Sequence, residues 1–226
     1  MKKAILIIFV VILLCLGYGK LNKGSMSNSL TELNEAIRQN NKDKVKEILK
    51  ENPNLDLNPP FVFGYINKPL FIAARSSDTE VLALLLQHGA DIEGICSYED
   101  TPLITALENH KYDNAKFLME KGANVNKPNS FGISPFIGLC AGYGPFDLFV
   151  MAFEKGGELD KAYPITVCSD PERINGRCPV RYNSTCLELR DDPIPDANTE
   201  EERQWAQEVK ETREKIKNYL SQKGIL

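Results

Sequence analysis

Histidine is nearly absent, with two in 226 residues, and neither His88 nor His110 stands in a short-spaced group with cysteine. Six cysteines are present, yet no Cys-x-x-Cys pair occurs, so the clustered ligands that zinc requires are missing. No nucleophile, base and orienting acid can be assembled from the spacing, and there is no phosphate-cradling P-loop or dinucleotide fingerprint. Positive charge is not in excess either: the net charge is −4, no basic stripe offsets it, and an acidic chain repels phosphate backbones. No apolar run reaches the roughly 20 residues that a membrane-spanning helix needs. The expectation is a chain without metal or cofactor that neither catalyses nor binds nucleic acid.

The N-terminus stands apart from the rest. Lys2 and Lys3 precede an apolar run from Ala4 to Leu16, followed by Gly17-Tyr18-Gly19. A short apolar core behind two lysines, with small residues at the two cleavage-defining positions, reads as a secretory signal over 1–19 of bacterial style. Leu13 and Leu14 stand before Cys15, where lipoprotein processing wants small residues, so lipidation at Cys15 is the minor reading beside an uncleaved anchor. The mature chain is then expected in the periplasm or cell envelope, with membrane contact only through this segment. Loss of Lys2 and Lys3 would take the formal charge from −4 to −6. Residues 20–29, rich in Gly, Ser and Asn, read as a tether.

What is present in abundance is a period. Pro69, Pro102 and Pro135 stand 33 residues apart, in Lys68-Pro69-Leu70, Thr101-Pro102-Leu103 and Ser134-Pro135-Phe136. Ala73 and Ala106 follow four positions after the first two prolines, and Gly89, Gly122 and Gly156 some twenty after each. Each unit reads as two amphipathic helices, closed by a glycine able to take the left-handed turn. An earlier pair is legible around Leu33, Ala36, Ile37, Val45, Ile48 and Leu49, stopped by Asn52-Pro53. In the fourth unit Gly142-Tyr143-Gly144-Pro145 inserts one residue between the helices.

A 33-residue unit with T-P-L, a following small residue and a terminal glycine resembles the ankyrin repeat, a turn plus two antiparallel helices. The resemblance implies an all-α solenoid of about four to five repeats with capping ends, repeats 1–4 spanning 30–160. An irregular cysteine-containing insertion is expected at 161–182, and a degenerate fifth repeat with a closing helix at 183–226. The fifth opening would be Asn183-Ser184-Thr185-Cys186-Leu187. The closing helix is expected to start near Thr199, capped with Glu202, and to turn Trp205, Val209, Ile216, Tyr219 and Leu220 to one face, which covers the end of the array or docks in a partner's groove. Where the family usually carries His after T-P-L, this chain has Phe71, Ile104 and Ile137, so apolar packing should replace a polar brace.

The same resemblance places the residue four before each proline on a projecting turn. Those residues are Tyr65, Tyr98 and Phe131, with Tyr182 at the same offset from Cys186, all aromatic. Such a column forms one edge of a binding groove or stiffens successive turns, and Phe61, Val62 and Phe63 would enlarge it. The groove floor would carry Arg75, Ser76, Glu108, Asn109, Ala141 and Gly142. Cys168 and Cys178 are the first candidates for a disulfide, Cys178 and Cys186 the next, while Cys96 and Cys140 read as turn and packing residues. Modules of this kind bind other proteins. The expected role is a monomeric binder of a protein partner, either an immunity protein that occludes a toxin or secreted effector, or a housekeeping scaffold or chaperone-like factor for another envelope protein.

Overall fold

A computed structural model of the chain describes residues 25–60, 68–76, 78–160, 163–167, 180–184 and 199–226. Four helix pairs come first: α1 (Ser25–Arg38) with α2 (Lys42–Glu51), α3 (Pro69–Ser76) with α4 (Thr79–Gln87), α5 (Pro102–Glu108) with α6 (Tyr112–Glu120), and α7 (Pro135–Cys140) with α8 (Phe146–Glu154). Strands β1 (Tyr163–Val167) and β2 (Val180–Ser184) follow, then a single long helix α9 (Glu200–Gln222). Helices α1, α3, α5 and α7 pack in succession as an inner row, and α2, α4, α6 and α8 as an outer row. Among the described residues this is the expected all-α solenoid with one hairpin added.

The period has a local cause at each end of the unit. Proline occupies the first turn of α5 and α7, where its missing N–H would have had no helical partner. Thr101 and Ser134 precede it, and their hydroxyls accept the backbone N–H of Ile104 and Ile137, both at 3.2 Å. The outer helices end at Gly89, Gly122 and Gly156, with φ of +87°, +93° and +92°. Nothing lies within 4 Å of a Cβ built at any of the three, so the left-handed backbone alone calls for glycine.

Stacking then supplies a core that no unit could bury alone. Ile72, Ala73, Leu82, Leu85, Leu103, Ala106, Leu118, Phe136 and Phe149 are among its fully enclosed members. Phe71, Ile104 and Ile137 are buried, as expected of apolar residues in place of a polar brace. The polar brace lies elsewhere. Buried Asn114 on α6 donates its Nδ2 to the Ala73 and Ala74 carbonyls of α3, at 3.3 and 3.1 Å, satisfying groups that the end of that helix leaves open. Turn tips are stitched repeat to repeat. Asn58 donates to the Gly89 carbonyl at 2.9 Å and accepts from Asp91 N at 2.8 Å, and Asn126 does the same with Gly156 at 2.7 Å and Glu158 at 3.0 Å. Between them Glu93 accepts from Asn124 N at 2.7 Å.

Three expected boundaries change. The stretch 20–29 is not wholly a tether, because α1 already begins at Ser25; once Leu33, Ala36 and Ile37 nucleate the helix on the core, each further residue adds a hydrogen bond at little cost. The stretch 161–182 is not wholly irregular, since Tyr163–Val167 pairs antiparallel with Val180–Ser184; the first of these is rich in β-branched and aromatic residues. Asn183 and Ser184 consequently end a strand and do not open a fifth repeat. The described part of 183–226 is that strand end plus one uninterrupted helix of 23 residues.

Helix α9 starts as expected. Thr199 Oγ1 accepts from Glu202 N at 3.1 Å while Glu202 Oε2 accepts from Thr199 N at 2.9 Å, closing a reciprocal cap. It lies on α8 with Val209, Ile216 and Leu220 buried. The Tyr219 ring meets Phe146, Phe149 and Phe153 edge-on at centroid distances of 5.9, 6.3 and 6.1 Å. It is therefore a cap on the array. No helix among the described residues is long and apolar enough to cross a membrane.

Candidate functional site

The aromatic column is partly realised. Tyr98 and Phe131 stand on consecutive turns with ring centroids 5.1 Å apart, tilted by 40°. The turns are joined beneath them by Ser130 N donating to the Tyr98 carbonyl at 2.7 Å and by Asn129 Nδ2 donating to Asp100 at 2.8 Å. Tyr98 has φ of +58° and Glu99 of +61°, a backbone region that side chains enter at a cost. Tyr98 thus stiffens the edge and also stays 53% exposed. Phe61, Phe63 and Tyr65 lie outside the described residues. Tyr182 does not open a further repeat turn, because its backbone is in β2, in register with Ile165.

The groove floor closes at its far end. Ala141 and Gly142, expected to be open, are covered by α9: Arg213, itself buried, donates Nε to the Ala141 carbonyl at 2.8 Å. A Cβ on Gly142 would lie 3.0 Å from the Val209 carbonyl, and its φ is +86°. The one-residue insertion of the fourth repeat is therefore where α9 docks, and glycine is needed there for both reasons. Asn109 turns back to its own helix, donating to the Thr105 carbonyl at 2.8 Å. Arg75 is half-buried at the last turn of α3, one repeat from Glu108.

Where α9 meets the inner row, a pocket of about 450 Å³ remains, within the usual range for ligand sites. Ile104, Leu107 and Glu108 of α5, Pro135 and Gly138 of α7, and Trp205, Glu208, Val209 and Thr212 of α9 form its walls, completed by His110, Tyr112 and Tyr143. Tyr143 and Trp205 stack at 5.9 Å, almost parallel, and both are substantially exposed. His110 Nδ1 and Tyr112 Oη are 2.9 Å apart. Of the floor residues read from sequence, Glu108 and Gly142 line the pocket. Tyr143 and Trp205 were legible as residues but not as neighbours, since they are 62 positions apart with no period joining them.

Electrostatics single out Glu108. The residue as a whole is exposed, yet it lines the pocket, and desolvation there, followed by repulsion from Asp100, raises its pKa to about 7. Burial likewise raises Asp100, partly offset by the Asn129 hydrogen bond. Tyr112 is raised by burial and then by Glu208. Because Glu108 binds its proton more tightly folded than unfolded, its contribution to stability is greatest below the unfolded value of 4.5 and is lost as pH rises to about 7. Glu108→Gln is therefore expected to leave stability unchanged near pH 4.5. Near pH 8 it should raise stability by about 1 kcal/mol, the full shift being discounted for solvent screening. Urea melts at the two pH values check this; equal stabilisation at both would remove the pH link.

Cys140, read from sequence as a packing residue, takes part in a disulfide, and its partner lies outside the described residues, as do Cys168 and Cys178. Cysteine spacing alone could not select it.

A sequence profile described as Ankyrin repeats (3 copies) matches residues 11–129, more than half of the chain. The chain belongs to the ankyrin-repeat family. It is 36% identical over 95 residues to the Ankyrin repeat and KH domain-containing protein mask-1 of Caenorhabditis elegans, covering 40% of this chain and 4% of that protein. It is 30% identical over 95 residues to the Transient receptor potential cation channel subfamily A member 1 homolog of the same organism, covering 42% and 8%. Ankyrin repeat protein OPG189 of Vaccinia virus (strain Copenhagen) is 31% identical over 96 residues, covering 42% and 17%. The chain thus spans under a fifth of the length of these relatives. Ankyrin repeats generally mediate protein–protein interaction and typically do not catalyse. The fourth repeat, α9 and most of the pocket lie beyond the matched residues.

Proposed function

We propose that this chain is a non-catalytic, exported binding protein that engages a protein partner along the edge formed by Tyr98 and Phe131 and the pocket between α5, α7 and α9. The observation that supports this most is the pocket itself, because it combines exposed, stacked aromatic rings with two carboxyl groups where α9 meets the inner row of helices. The N-terminal signal reading supports a bacterial periplasm or envelope as its location, and the expected state is a monomer. Occlusion of a toxin or secreted effector, in the manner of an immunity protein, suits a pre-formed acidic face presented to a basic enzyme. The alternative is a housekeeping scaffold for another envelope protein. A deletion strain that grows normally until the effector is supplied supports immunity, whereas a growth defect without it supports housekeeping.

Photo-cross-linking residues placed at Tyr98 or at Ile133, an exposed residue of the pocket wall, are expected to trap a protein partner in the envelope fraction. The same residue at Lys116, exposed on outer helix α6, should not. Equal trapping from Lys116, or recovery of the chain only in the cytoplasmic fraction, would overturn the reading.

A further inference from the structure

The pocket has a chemistry that selects its occupant. Glu108 and Glu208 stand in its wall, no Lys or Arg does among the described residues, and the remaining surface is mostly apolar or aromatic, with Ser134 and Thr212 as neutral polar members. An anionic group would meet repulsion there, and a purely apolar one would desolvate Glu108 and Glu208 further without offering either a compensating charge. A cation on an alkyl stem meets both requirements, its stem against Ile104, Leu107 and Val209 and its charge between the carboxylates and the Tyr143–Trp205 pair. Arginine fits best, because its planar guanidinium stacks on aromatic faces and bonds carboxylates in a fork. Resting on the protein-binding reading above, we propose that this pocket seats the cationic side chain, arginine in preference to lysine, of a basic segment of the partner protein.

A consequence follows for pH. Asp100 repels Glu108, and the other titratable groups that line the same pocket are His110 on the turn, Tyr112 on α6 and Glu208 on α9. Arg213 of α9 is bonded to the Ala141 carbonyl, and Arg75 stands one repeat away. With its pKa raised to about 7 by desolvation and then by Asp100, Glu108 is partly protonated at neutral pH. An entering guanidinium favours the ionised form, so binding releases a proton and strengthens as pH rises from about 6 to about 8.

The chain supplies its own reporter, since its single tryptophan is Trp205. The full-length chain is titrated with acetyl-Gly-Arg-Gly-amide, with the lysine counterpart and with the uncharged citrulline counterpart, following Trp205 emission. The arginine peptide is expected to give a saturable change, with lysine weaker and citrulline about tenfold weaker, as loss of a charge-assisted hydrogen bond implies. Glu108→Gln should weaken the arginine peptide about tenfold at pH 8 and flatten its pH dependence, with Glu208→Gln as an independent second variant and unchanged circular dichroism in both. Citrulline binding as well as arginine, or full affinity in both variants, overturns the proposal. Retention of the full pH slope in Glu108→Gln overturns the role of Glu108. If Ile133 still cross-links a partner while the arginine peptide leaves Trp205 unchanged, the cation fails and the binding face survives; if both fail, the binding face fails as well.

Discussion

Phe149→Ala is expected to lower the stability of the chain by about 3–5 kcal/mol, the range for removing a fully enclosed aromatic ring. Phe149 has no exposed surface and is the hub of the aromatic group at the end of the solenoid. It stacks on Phe136 at 5.7 Å and on Phe146 and Phe153 at 6.3 Å each, and takes the Tyr219 edge at 6.3 Å. Truncation leaves a cavity bounded by rings on three helices, α7, α8 and α9, none of which can collapse inward without giving up contacts of its own. Since whole domains are stable by only about 5–15 kcal/mol, the fourth repeat should lose its cooperative link to the third. Phe149→Leu keeps most of the volume and should cost less than half as much. Chemical denaturation of the two variants against the parent is the measurement; a loss below about 1 kcal/mol for alanine would mean that the ring contacts contribute little beyond their neighbours.

Residues that act within a repeat were readable from the chain, and residues that act across distance were not. Pro69, Pro102 and Pro135 mark a fixed place in a unit whose geometry repeats, so their spacing carries the helix starts, the hydroxyl caps of Thr101 and Ser134 and the glycine exits. The floor position of Glu108 followed from the same register. By contrast, the contact of Arg213 with Ala141 joins residues 72 positions apart, and nothing periodic points from one to the other. The extra residue near Gly142 was visible as an irregularity, yet its purpose depends on α9 being present above it. Tyr182 shows the opposite failure: the four-residue offset from Cys186 extended a period past the point where the chain leaves helices for a strand. Cys140 illustrates a third limit, because disulfide pairing is set by folded proximity, which cysteine spacing does not contain.

Removal of α9, by ending the chain before Thr199, should destabilise the far end of the solenoid by an amount on the order of 5 kcal/mol. Val209, Ile216 and Leu220 are each buried by this helix, and each buried aliphatic side chain contributes roughly 1.5–3 kcal/mol. Part of that sum is offset by the entropy of ordering the helix, which its capping box and its three acidic first-turn residues reduce. The Arg213 bond to Ala141 would be lost as well, and Phe146, Phe149 and Phe153 would lose the Tyr219 ring that covers them. In a solenoid each unit contacts only its neighbours, so the damage should remain local. Hydrogen exchange is expected to show amides of α7 and α8 losing protection while those of α1 to α4 keep theirs. The newly exposed rings should also make the shortened chain self-associate as its concentration is raised. Unchanged protection in α8 would contradict the capping role and leave α9 as a helix held only loosely against the array. The pocket supplies an independent check, because Trp205, Glu208, Val209 and Thr212 all belong to α9. A shortened chain that kept repeats one to three folded but no longer cross-linked from Ile133 would show that the cap is also one wall of the binding face, which joins the stability of the fourth repeat to recognition of the partner.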